Sequence, residues 1–454
     1  MAISRDEILA GGFIVGVSLL LIVTGMNAAQ VVAAGDSNPF DRFDQTENGE
    51  AVVEQRPNTT VFTAYGQNGG HLVALNPNGT VLYYSNEYDE FYDVDPIGGS
   101  EVIVAAMDEL SKSECPADTP CSRERLLRIN LNTGDSLILY ERYRPGLSNN
   151  EWHDIDRVGE NRYLIAGMDR NQVIEVNTTT GMTTWGWDAQ SSYNISSGGS
   201  NVFGVPAYPV DWTHLNDVEY LRDGRIMVSM RNHDQVIFLN KTKGLNESWT
   251  IGSDDDTDVM YEQHNPDYIP DERGGPAVVI ADSQNNRIVE YQRQNGQWVQ
   301  KWTWSDSAMA WPRDADRLPN NNTLIADTNS HRLLEVAKDG SVVWEVQNVP
   351  GVYEVERLET GDESEGGYSA SEADLVGTNT GSVALSTENE TMGSRLKSSL
   401  PPILVNAIVY ITPWWWTWTG LDGLFLFTDL TLTGLSMLAY FIDEIIEYMP
   451  GRGV

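Results

Sequence analysis

One short pattern recurs six times between about residue 92 and residue 358, and it constrains the fold more than any other feature of the sequence. Each copy contains a variable lead residue, an acidic residue or Asn, any residue, and a second acidic residue. An aliphatic residue follows every copy, and in most copies a turn signal and a short apolar run come next. Short strands and turns repeated at roughly 45 to 60 residues are typical of β-propeller blades. The six lead residues are Tyr92, His153, Asn216, His264, Arg313 and Tyr353.

The lead residues are polar or amphipathic, which is unusual for the centre of a fold. If each copy lies on a strand that faces the central channel, the six side chains form one ring, here called the axial ring. His214 stands two residues before Asn216, so on a strand it would point to the same side. We therefore expect two or three imidazoles, an amide and a guanidinium to converge on one axial pocket.

The blades are predicted from the order of the strands within each repeat. A strand such as 332–335 opens the repeat, a strand that often carries Trp follows, the strand with the lead residue is third, and an apolar strand such as 323–326 is fourth. No fourth strand follows the sixth pattern, but residues 60–65 can supply it from the other end of the domain. The sequence thus predicts an all-β chain with a six-bladed β-propeller over residues 58–360, its last blade shared between the two ends.

Apolar segments flank the predicted propeller. Residues 1–34 indicate a signal anchor or transmembrane helix, for which cleavage remains an alternative, and residues 35–57 indicate a tether. Residues 361–399 have the composition of a flexible linker. Residues 400–445 predict a C-terminal transmembrane helical hairpin with tryptophans suited to a membrane interface. The alternatives for this last segment are one span followed by an interfacial helix, and a set of buried helices of the soluble domain.

The charge of the chain excludes some partners. Its formal net charge of −37 repels nucleic acid and anionic lipid, so no nucleic-acid partner is expected. The acidic residues are spread along the chain, which favours solvation in high salt, as in halophiles. We expect a protein anchored in the cell membrane with its propeller on the extracellular face.

Two further features fit that location. Cys115 and Cys121 are close in sequence, a spacing that suits a small disulfide-closed loop outside the cell, and two thiols are too few for a structural zinc site. Sequons for N-glycosylation lie between the apolar segments, and each is weak evidence by itself. They begin at Asn58, Asn78, Asn177, Asn194, Asn240, Asn246, Asn321 and Asn389.

The predicted pocket has the residue types for transfer of an anionic group. Imidazole can act as a nucleophile or as a general acid and base near neutral pH. Arginine presents a planar fork to a tetrahedral oxyanion, and an amide can stabilise developing charge. The lead positions carry no carboxylate, which argues against a calcium-dependent lactonase site.

Three motifs resemble the arylsulfate sulfotransferases, which are secreted six-bladed propellers that move a sulfuryl group between phenols without a nucleotide donor. The resemblance covers about residues 60–358. The motifs are Trp152-His153-Asp154-Ile155, Thr213-His214-Leu215-Asn216-Asp217 with Ser229-Met230-Arg231, and Gln263-His264-Asn265-Pro266. The short-loop disulfide of that family has a similar spacing to Cys115 and Cys121 but belongs to a different blade.

The resemblance implies a role for each matching residue. His264 would be the nucleophile that carries the sulfuryl group, His153 and His214 would act on the leaving or attacking phenol oxygen, and Asn216 and Arg231 would hold the sulfuryl oxygens. An aryl sulfate donor and a phenolic acceptor would react in turn, with neither metal nor cofactor.

Other residues have open roles. Arg313 lies in the axial ring and Arg231 outside it, and either or both could meet the sulfuryl group. Tyr92 and Tyr353 are expected to bind substrate, and Trp152, Trp212 and Trp311 could stack phenols or simply pack between blades.

Two alternatives come from other classes of protein. Residues 281–288 and 326–333 resemble the NHL repeat, so a surface-anchored propeller that binds glycans or proteins is the main alternative. The other is a hydrolase that uses the histidines as metal ligands.

Overall fold

The computed structural model describes residues 38–44, 49–66, 69–146, 151–198, 208, 211–360, 366–378, 397 and 400–411. The predicted anchor at 1–34 and all but the beginning of the predicted hairpin at 400–445 lie outside these ranges. Within them, no helix is both long and apolar enough to cross a membrane. The chain divides into two compact units, of which the first is Met1–Asn38, Ser386–Pro401 and Trp415–Val454. The second, Pro39–Leu385 with Pro402–Trp414, contains the propeller.

The strands of the second unit form six antiparallel sheets. The N-terminal strands are β1 (Thr60–Ala64), β2 (His71–Leu75) and β3 (Val81–Ser85). Blade 1 contains β4 (Glu90–Gly98), β5 (Glu101–Leu110), β6 (Cys121–Asn130) and β7 (Ser136–Pro145). Blade 2 contains β8 (Trp152–Gly159), β9 (Arg162–Gly167), β10 (Gln172–Asn177) and β11 (Met182–Asp188).

The remaining blades follow the same plan. Blade 3 contains β12 (Leu215–Tyr220), β13 (Arg225–Met230), β14 (Gln235–Asn240) and the short strands β15 (Gly244–Leu245) and β16 (Ile251–Gly252). Blade 4 contains β17 (His264–Ile269), β18 (Ala277–Asp282), β19 (Arg287–Gln294) and β20 (Gln297–Trp304). Blade 5 contains β21 (Pro312–Arg317), β22 (Thr323–Asp327), β23 (Arg332–Val336) and β24 (Val342–Gln347). Blade 6 contains β25 (Val352–Arg357) followed by β1, β2 and β3.

Helices are short in the described residues. The α-helices are α1 (Asp41–Asp44), α2 (Ala370–Ala373) and α3 (Pro402–Ile411). Single 3₁₀ turns lie at Met168–Arg170, Ala189–Ser191, Arg231–His233, Glu247–Trp249 and Asp271–Arg273.

The six-bladed propeller is confirmed, and so is the sharing of its last blade. β25 pairs with β1 in antiparallel register, with Thr60 opposite Arg357 and Phe62 opposite Val355. The strand with the lead residue is the innermost and first strand of each sheet. The predicted repeat placed it third and was therefore out of phase with the blades. Sequence shows the order of strands but not the point where one sheet ends, because that depends on which edges pair.

The hydrophobic core lies between neighbouring blades. One cluster joins Ile269 and Val279 of blade 4 to Ala315 and Ile325 of blade 5. Another joins the two ends of the domain, since it contains Val61 together with residues of blade 1 and the buried Leu358. Burial of both sheet faces explains the continuous apolar pattern of strands such as β18, which has no exposed residue.

Each innermost strand carries a β-bulge at or directly after its lead residue. The pairing register shifts between Phe91 and Val94, and comparable shifts include the lead residues of blades 2, 3 and 5. In blade 4 the shift follows His264, which itself pairs with Ala281. In blade 6 the shift falls opposite Thr63, next to Tyr353. A bulge leaves an extra residue unpaired and re-aims its side chain. Outside blade 4, the bulge therefore includes the lead residue and turns its side chain towards the channel.

The acidic residues of the pattern connect one blade to the next. Glu354 accepts a hydrogen bond from the backbone N–H of Val94 (2.9 Å), and Asp93 accepts one from Ile155 (3.1 Å). Asp314 accepts one from Val355 in the same way. These carboxylates are buried. The recurring acidic residues thus link neighbouring blades by hydrogen bonds, a role that the sequence pattern alone did not reveal.

The predicted disulfide is confirmed. Cys115 and Cys121 are bonded, with an S–S distance of 1.99 Å. The bond ties the beginning of β6 to the loop that precedes it, in blade 1.

Burial raises the pKa of Glu354 from 4.5 to about 7, although hydrogen bonds from Asp93 and from the Val94 N–H oppose the shift. A folded-state pKa above the unfolded value means that the native state binds the proton more tightly. The contribution of this group to stability is then greatest below about pH 4.5 and is lost as the pH rises to about 7.

We therefore predict that Glu354→Gln, which keeps an acceptor for Val94, gains stability relative to wild type as the pH rises through that window. The gain is expected to be about 3 kcal/mol between pH 4 and pH 8, measured by denaturant unfolding at several pH values. Glu160→Gln, at an exposed carboxylate, is the control and should show no such trend. A constant difference between Glu354→Gln and wild type would contradict the prediction.

Candidate active site in the axial ring

The lead residues meet at one end of the channel. The ring of His153 lies 4.8 Å from that of Tyr92 and 5.6 Å from that of Tyr353, measured between centroids. The ring of His264 lies 6.3 Å from that of Tyr353. The Arg313 guanidinium carbon lies 5.2 Å from the Tyr353 ring centroid. The structure therefore brings these predicted site residues together, and it places the predicted His214 beside them, with its ring 5.0 Å from that of His153.

His264 is held by hydrogen bonds to one of its two ring nitrogens. Its Nδ1 lies 3.1 Å from the backbone oxygen of Glu262 and 2.8 Å from the Ser283 hydroxyl. A carbonyl oxygen can only accept, and the Ser283 hydroxyl donates its proton to the Pro312 carbonyl at 2.7 Å. Nδ1 must therefore carry the ring proton. Nε2 keeps its lone pair and makes no hydrogen bond within the described part of the chain.

Burial and, to a lesser extent, nearby positive charges keep His264 neutral. Burial lowers its pKa well below 6.5, and the positive charges of Arg313 and Arg231 lower it further. Neither arginine forms an ion pair with a carboxylate of the described residues. A neutral imidazole with a fixed tautomer, next to two guanidinium groups without counter-ions, is suited to attack an anionic substrate.

His214 is bound at both ring nitrogens. Its Nδ1 lies 2.5 Å from Asp211 Oδ1, and its Nε2 accepts a hydrogen bond of 2.8 Å from Arg231 Nη1. Burial and the Arg231 charge lower the pKa of His214 to about 4, and Asp211 opposes that shift. In this arrangement His214 orients Arg231, and neither of its nitrogens is available to a phenol.

The backbone of His214 differs from the expectation that it belongs to a strand. It precedes β12 and has a φ of 45°, in the left-handed region. Glu262 and Trp311 stand at the equivalent position, two residues before their lead residues, with φ values of 48° and 53°. Left-handed backbone is costly for residues other than glycine and is frequent at functional sites. His214 reaches the pocket through this turn, and a strand reading could not show it.

His153 has one nitrogen in use. Its Nδ1 lies 2.9 Å from the Tyr353 hydroxyl, which also lies 3.3 Å from the Asn216 carbonyl. Its Nε2 has no hydrogen bond to the described residues. Burial lowers the pKa of His153 well below 6.5, with smaller contributions from His214, Arg313 and Arg231. His153 is thus the second imidazole whose Nε2 is unoccupied.

The side chain of Asn216 uses its amide nitrogen, but not its oxygen, in hydrogen bonds with the described residues. Its amide nitrogen donates to the Gln263 carbonyl at 2.8 Å, and its buried Oδ1 has no partner among the described residues. The Gln263 side chain in turn donates to Ser229 and to the Gln235 carbonyl. The predicted motif Ser229-Met230-Arg231 in blade 3 and the predicted motif that begins at Gln263 in blade 4 are therefore joined by the hydrogen bond between Gln263 and Ser229.

Aromatic side chains form one wall of the pocket. Tyr65, which the sequence did not single out, lies 5.0 Å from Tyr92 and 5.9 Å from Tyr353 between ring centroids. Arg313 lies over Tyr65 as well as Tyr353, at 5.2 Å. Burial raises the pKa of each of these tyrosines, so each remains protonated at neutral pH. The sequence feature that could have identified Tyr65 is its position directly after β1, because β1 pairs with the innermost strand β25.

The three candidate tryptophans differ in their surroundings. Trp311 lies 6.2 Å from His264 between ring centroids, and its buried Nε1 has no hydrogen-bond partner within the described ranges. Trp152 stacks on Tyr140 at 5.6 Å, and Trp212 packs against His233 at 5.3 Å. Trp311 is therefore the member of this set that can meet a substrate near His264.

Other residues bear on the site through their positions. Asp211, Glu262 and Ser283 were missed by sequence reasoning, although Ser283 lies in the NHL-like stretch 281–288. The three histidines that lie away from the pocket have partners elsewhere: His71 stacks on Phe40 at 3.8 Å, and His233 contacts Tyr193 at 5.2 Å. His331 is the third, and its backbone N–H bonds to the Thr328 carbonyl.

Carboxylates, not histidines, form the grouping that could hold a metal ion. Asp93, Asp95 and Glu354 bring oxygens within 4.8 Å of one another, and all three are buried. The histidines of the described residues form no such group. Because both ring nitrogens of His214 already make hydrogen bonds, to Asp211 and from Arg231, the arrangement does not favour the alternative in which the three imidazoles bind a catalytic metal.

Comparison with known proteins gives one family match. The family model described as Arylsulfotransferase (ASST) matches residues 157–307, about a third of the chain. This stretch contains His214, Asn216, Arg231 and His264, while His153 and Arg313 lie outside it. No curated protein matches the chain.

Solved structures match at low identity. A protein of unknown function from Bacteroides caccae is 10% identical, with 66% of this chain and 98% of that chain covered and a TM-score of 0.45. A protein from Lactobacillus plantarum is 12% identical, with 66% and 99% covered and a TM-score of 0.44. A periplasmic gluconolactonase from Pseudomonas aeruginosa is 13% identical, with 67% and 86% covered and a TM-score of 0.41. These likenesses carry no argument about function.

The Asp211–His214–Arg231 contacts predict opposite effects of two substitutions on one pKa. Arg231→Met removes a positive charge and a donor, so the pKa of His214 should rise above about 4. Asp211→Asn removes the charge that favours the imidazolium, so the pKa should fall below that value. Titration of the His214 ring signals by NMR measures both. Shifts of the same sign in the two variants would contradict the contact geometry.

Proposed function

We propose that this protein is an aryl sulfotransferase that moves a sulfuryl group from an aryl sulfate to a phenolic acceptor through a covalent sulfohistidine at His264. The observation that carries the proposal is the fixed tautomer of His264. Its Nδ1 proton is held by Glu262 and Ser283, which leaves the Nε2 lone pair for attack. The family match over residues 157–307 includes this histidine and supports the same activity.

The first step forms the covalent intermediate. The Nε2 lone pair of His264 attacks sulfur, the N–S bond forms, and the bond between sulfur and the aryl oxygen breaks. The departing phenolate keeps the electron pair of that bond and takes a proton. His153 delivers this proton through Nε2, because that nitrogen is unoccupied whereas both nitrogens of His214 are bound.

Binding of the substrate supplies the protonated state that this step needs. In the free enzyme, the positive charges of Arg313 and Arg231 help to lower the pKa of His153. The negative charge of an aryl sulfate offsets those charges and so raises the pKa of His153 in the complex. Proton uptake is therefore coupled to binding of the anionic donor.

The second step reverses the first with a new phenol. The acceptor hydroxyl loses its proton to His153 and its oxygen attacks sulfur, so the S–O bond forms while the N–S bond breaks. His264 regains its neutral form. The cycle is a ping-pong reaction that uses neither a metal ion nor a nucleotide.

The arginines stabilise the transferred group. Arg313 and Arg231 have no carboxylate partner in the described residues, and the buried Arg313 Nε has no hydrogen-bond partner there. A sulfuryl group offers three oxygens to such donors. We assign sulfuryl contacts to both arginines, with Arg231 held in place by His214 and Arg313 held against Tyr65 and Tyr353.

The aromatic wall determines the substrate class. Tyr65, Tyr92, Tyr353 and Trp311 surround the imidazoles and offer flat apolar faces next to polar groups. Aryl groups bind such surfaces through offset or edge-to-face contacts. Both donor and acceptor are therefore aromatic. A purely binding propeller has no need of a histidine with a fixed tautomer, so that alternative is not favoured.

We further propose that the propeller works outside the cell, next to the membrane. This rests on the apolar segments predicted at 1–34 and 400–445, and the Cys115–Cys121 disulfide agrees with an oxidising environment.

Replacement of the nucleophile should abolish transfer. His264→Ala is expected to reduce kcat for a chromogenic aryl sulfate by at least about 10³-fold, because no covalent route remains. Phenol release is followed in high salt with and without an acceptor phenol. Wild type incubated with ³⁵S-labelled donor should retain acid-labile label, and His264→Ala should retain none.

His331→Asn is the matched control for this experiment, since it changes a histidine outside the axial ring and Asn tolerates the left-handed backbone of that position. It should keep wild-type activity. Retention of label and turnover by His264→Ala would move the nucleophile elsewhere, with His153 as the next candidate.

Ser283 should affect rate through the tautomer of His264. Ser283→Ala removes one of the two acceptors for the Nδ1 proton and is expected to lower kcat by about tenfold, with KM little changed. Ser283→Thr keeps the hydroxyl and should restore most of the loss. If the alanine and threonine variants behave alike, the hydroxyl does not act on His264.

A further inference from the structure

Helix α3 contains a polar residue where an apolar residue would be expected. The segment Pro402–Ile411 reads PILVNAIVYI, and Asn406 interrupts its apolar run. Asn406 is only 2% exposed, whereas Leu404 on the same helix is 49% exposed. This inverts the usual distribution, since buried polar side chains are tolerated only with hydrogen bonds. The helix is therefore placed by what Asn406 contacts.

Asn406 binds the propeller at blade 4. Its Nδ2 lies 3.3 Å from the backbone oxygen and 3.0 Å from the side-chain oxygen of Gln284. The backbone oxygen can only accept, so the nitrogen of the Asn406 amide must face it. Because the Asn406 nitrogen donates, the side-chain oxygen of Gln284 must face Asn406, and the side-chain nitrogen of Gln284 must point away from it.

The contact continues to the proposed nucleophile. Gln284 Nε2 donates to Glu262 Oε2 at 3.3 Å, and the Glu262 carbonyl accepts the Nδ1 proton of His264 at 3.1 Å. All four residues are buried, with exposures between 1% and 4%. The series Asn406, Gln284, Glu262, His264 thus forms one path without exposure to solvent, here called the amide path.

Glu262 is the residue through which the amide path acts. The backbone of Glu262 has a φ of 48°, in the left-handed region, and a residue other than glycine keeps this conformation only when its surroundings support it. Asp234 accepts from its backbone N–H at 2.9 Å, Gln284 holds its carboxylate, and His264 donates to its carbonyl. If Gln284 is released, the Glu262 carbonyl is freer to rotate and His264 loses its backbone acceptor.

From this geometry we infer that Asn406 is a positioning residue for His264, so that the C-terminal segment after the propeller completes the active site. The inference rests on the proposed function, since it assigns the amide path a role in sulfuryl transfer. Docking of α3 fixes Gln284, Gln284 fixes the strained Glu262, and Glu262 fixes the tautomer in which Nε2 keeps its lone pair. A propeller without α3 would bind donor but transfer slowly.

The test compares full-length variants. Asn406→Ala removes the donor to Gln284, Gln284→Ala removes the next link, and the double variant combines them. Leu404→Ala, at an exposed position of the same helix, is the matched control. For each protein, kcat and KM are measured with an aryl sulfate and an acceptor phenol, and the His264 tautomer is read from ¹⁵N NMR of histidine-labelled protein.

The expected result is a loss of kcat of about tenfold in Asn406→Ala with KM for the donor within about twofold of wild type. Leu404→Ala should match wild type. The double variant should be no slower than Gln284→Ala, because two residues on one path are not additive. The NMR spectrum of Asn406→Ala should show protonation shared between Nδ1 and Nε2.

Two results would overturn the inference: wild-type kcat and tautomer in Asn406→Ala, or losses that multiply in the double variant. Failure of the proposed function looks different. If wild type transfers no sulfuryl group, the function fails, and the NMR comparison still decides whether Asn406 sets the tautomer of His264. If wild type is active and Asn406→Ala is unchanged, the function stands and the role of the C-terminal helix is rejected.

Discussion

The structure depends on a β-bulge that every innermost strand must contain. In a regular strand, successive side chains point to opposite faces of the sheet. Such a strand could not direct one side chain into the channel and the next one towards the backbone of the neighbouring blade. The bulge permits both. In blade 1, for example, Tyr92 reaches the axial ring while Asp93 accepts the Ile155 N–H of blade 2. The repeat that builds the pocket is therefore the repeat that joins the blades.

The pocket is cationic within an acidic protein. The chain carries a net charge of −37, yet Arg231 and Arg313 lie beside the imidazoles without a carboxylate partner in the described residues. The buried carboxylates occupy the next positions along the same strands, where backbone N–H groups stabilise them. Neighbouring residues of one strand thus point in different directions, which keeps the positive charges of the pocket apart from the buried carboxylates. In the proposed reaction, the arginines compensate the charge of an anionic donor, and its binding would change the protonation of His153.

The three imidazoles have different surroundings and so different uses. Backbone and hydroxyl groups hold His264 by Nδ1, the Tyr353 hydroxyl contacts His153, and an Asp–Arg pair occupies His214 completely. Residue type does not distinguish them, because the neighbours that fix each tautomer come from other blades. The contact of α3 with Gln284 extends this principle beyond the propeller, since a residue far along the chain touches the support of His264.

The sequence by itself determined the number of blades, the closure of the ring by residues 60–65 and the identity of the lead residues, because repetition, turn residues and apolar runs are local properties. It also indicated the disulfide, since two cysteines so close together have few other uses. Only the tertiary structure decided the phase of the blades, the left-handed turn that brings in His214, and the partners Asp211, Glu262, Ser283 and Asn406. Each of these depends on contacts between segments that lie far apart in sequence. Such contacts leave no periodic mark on the chain, and they decide which nitrogen of each histidine can react.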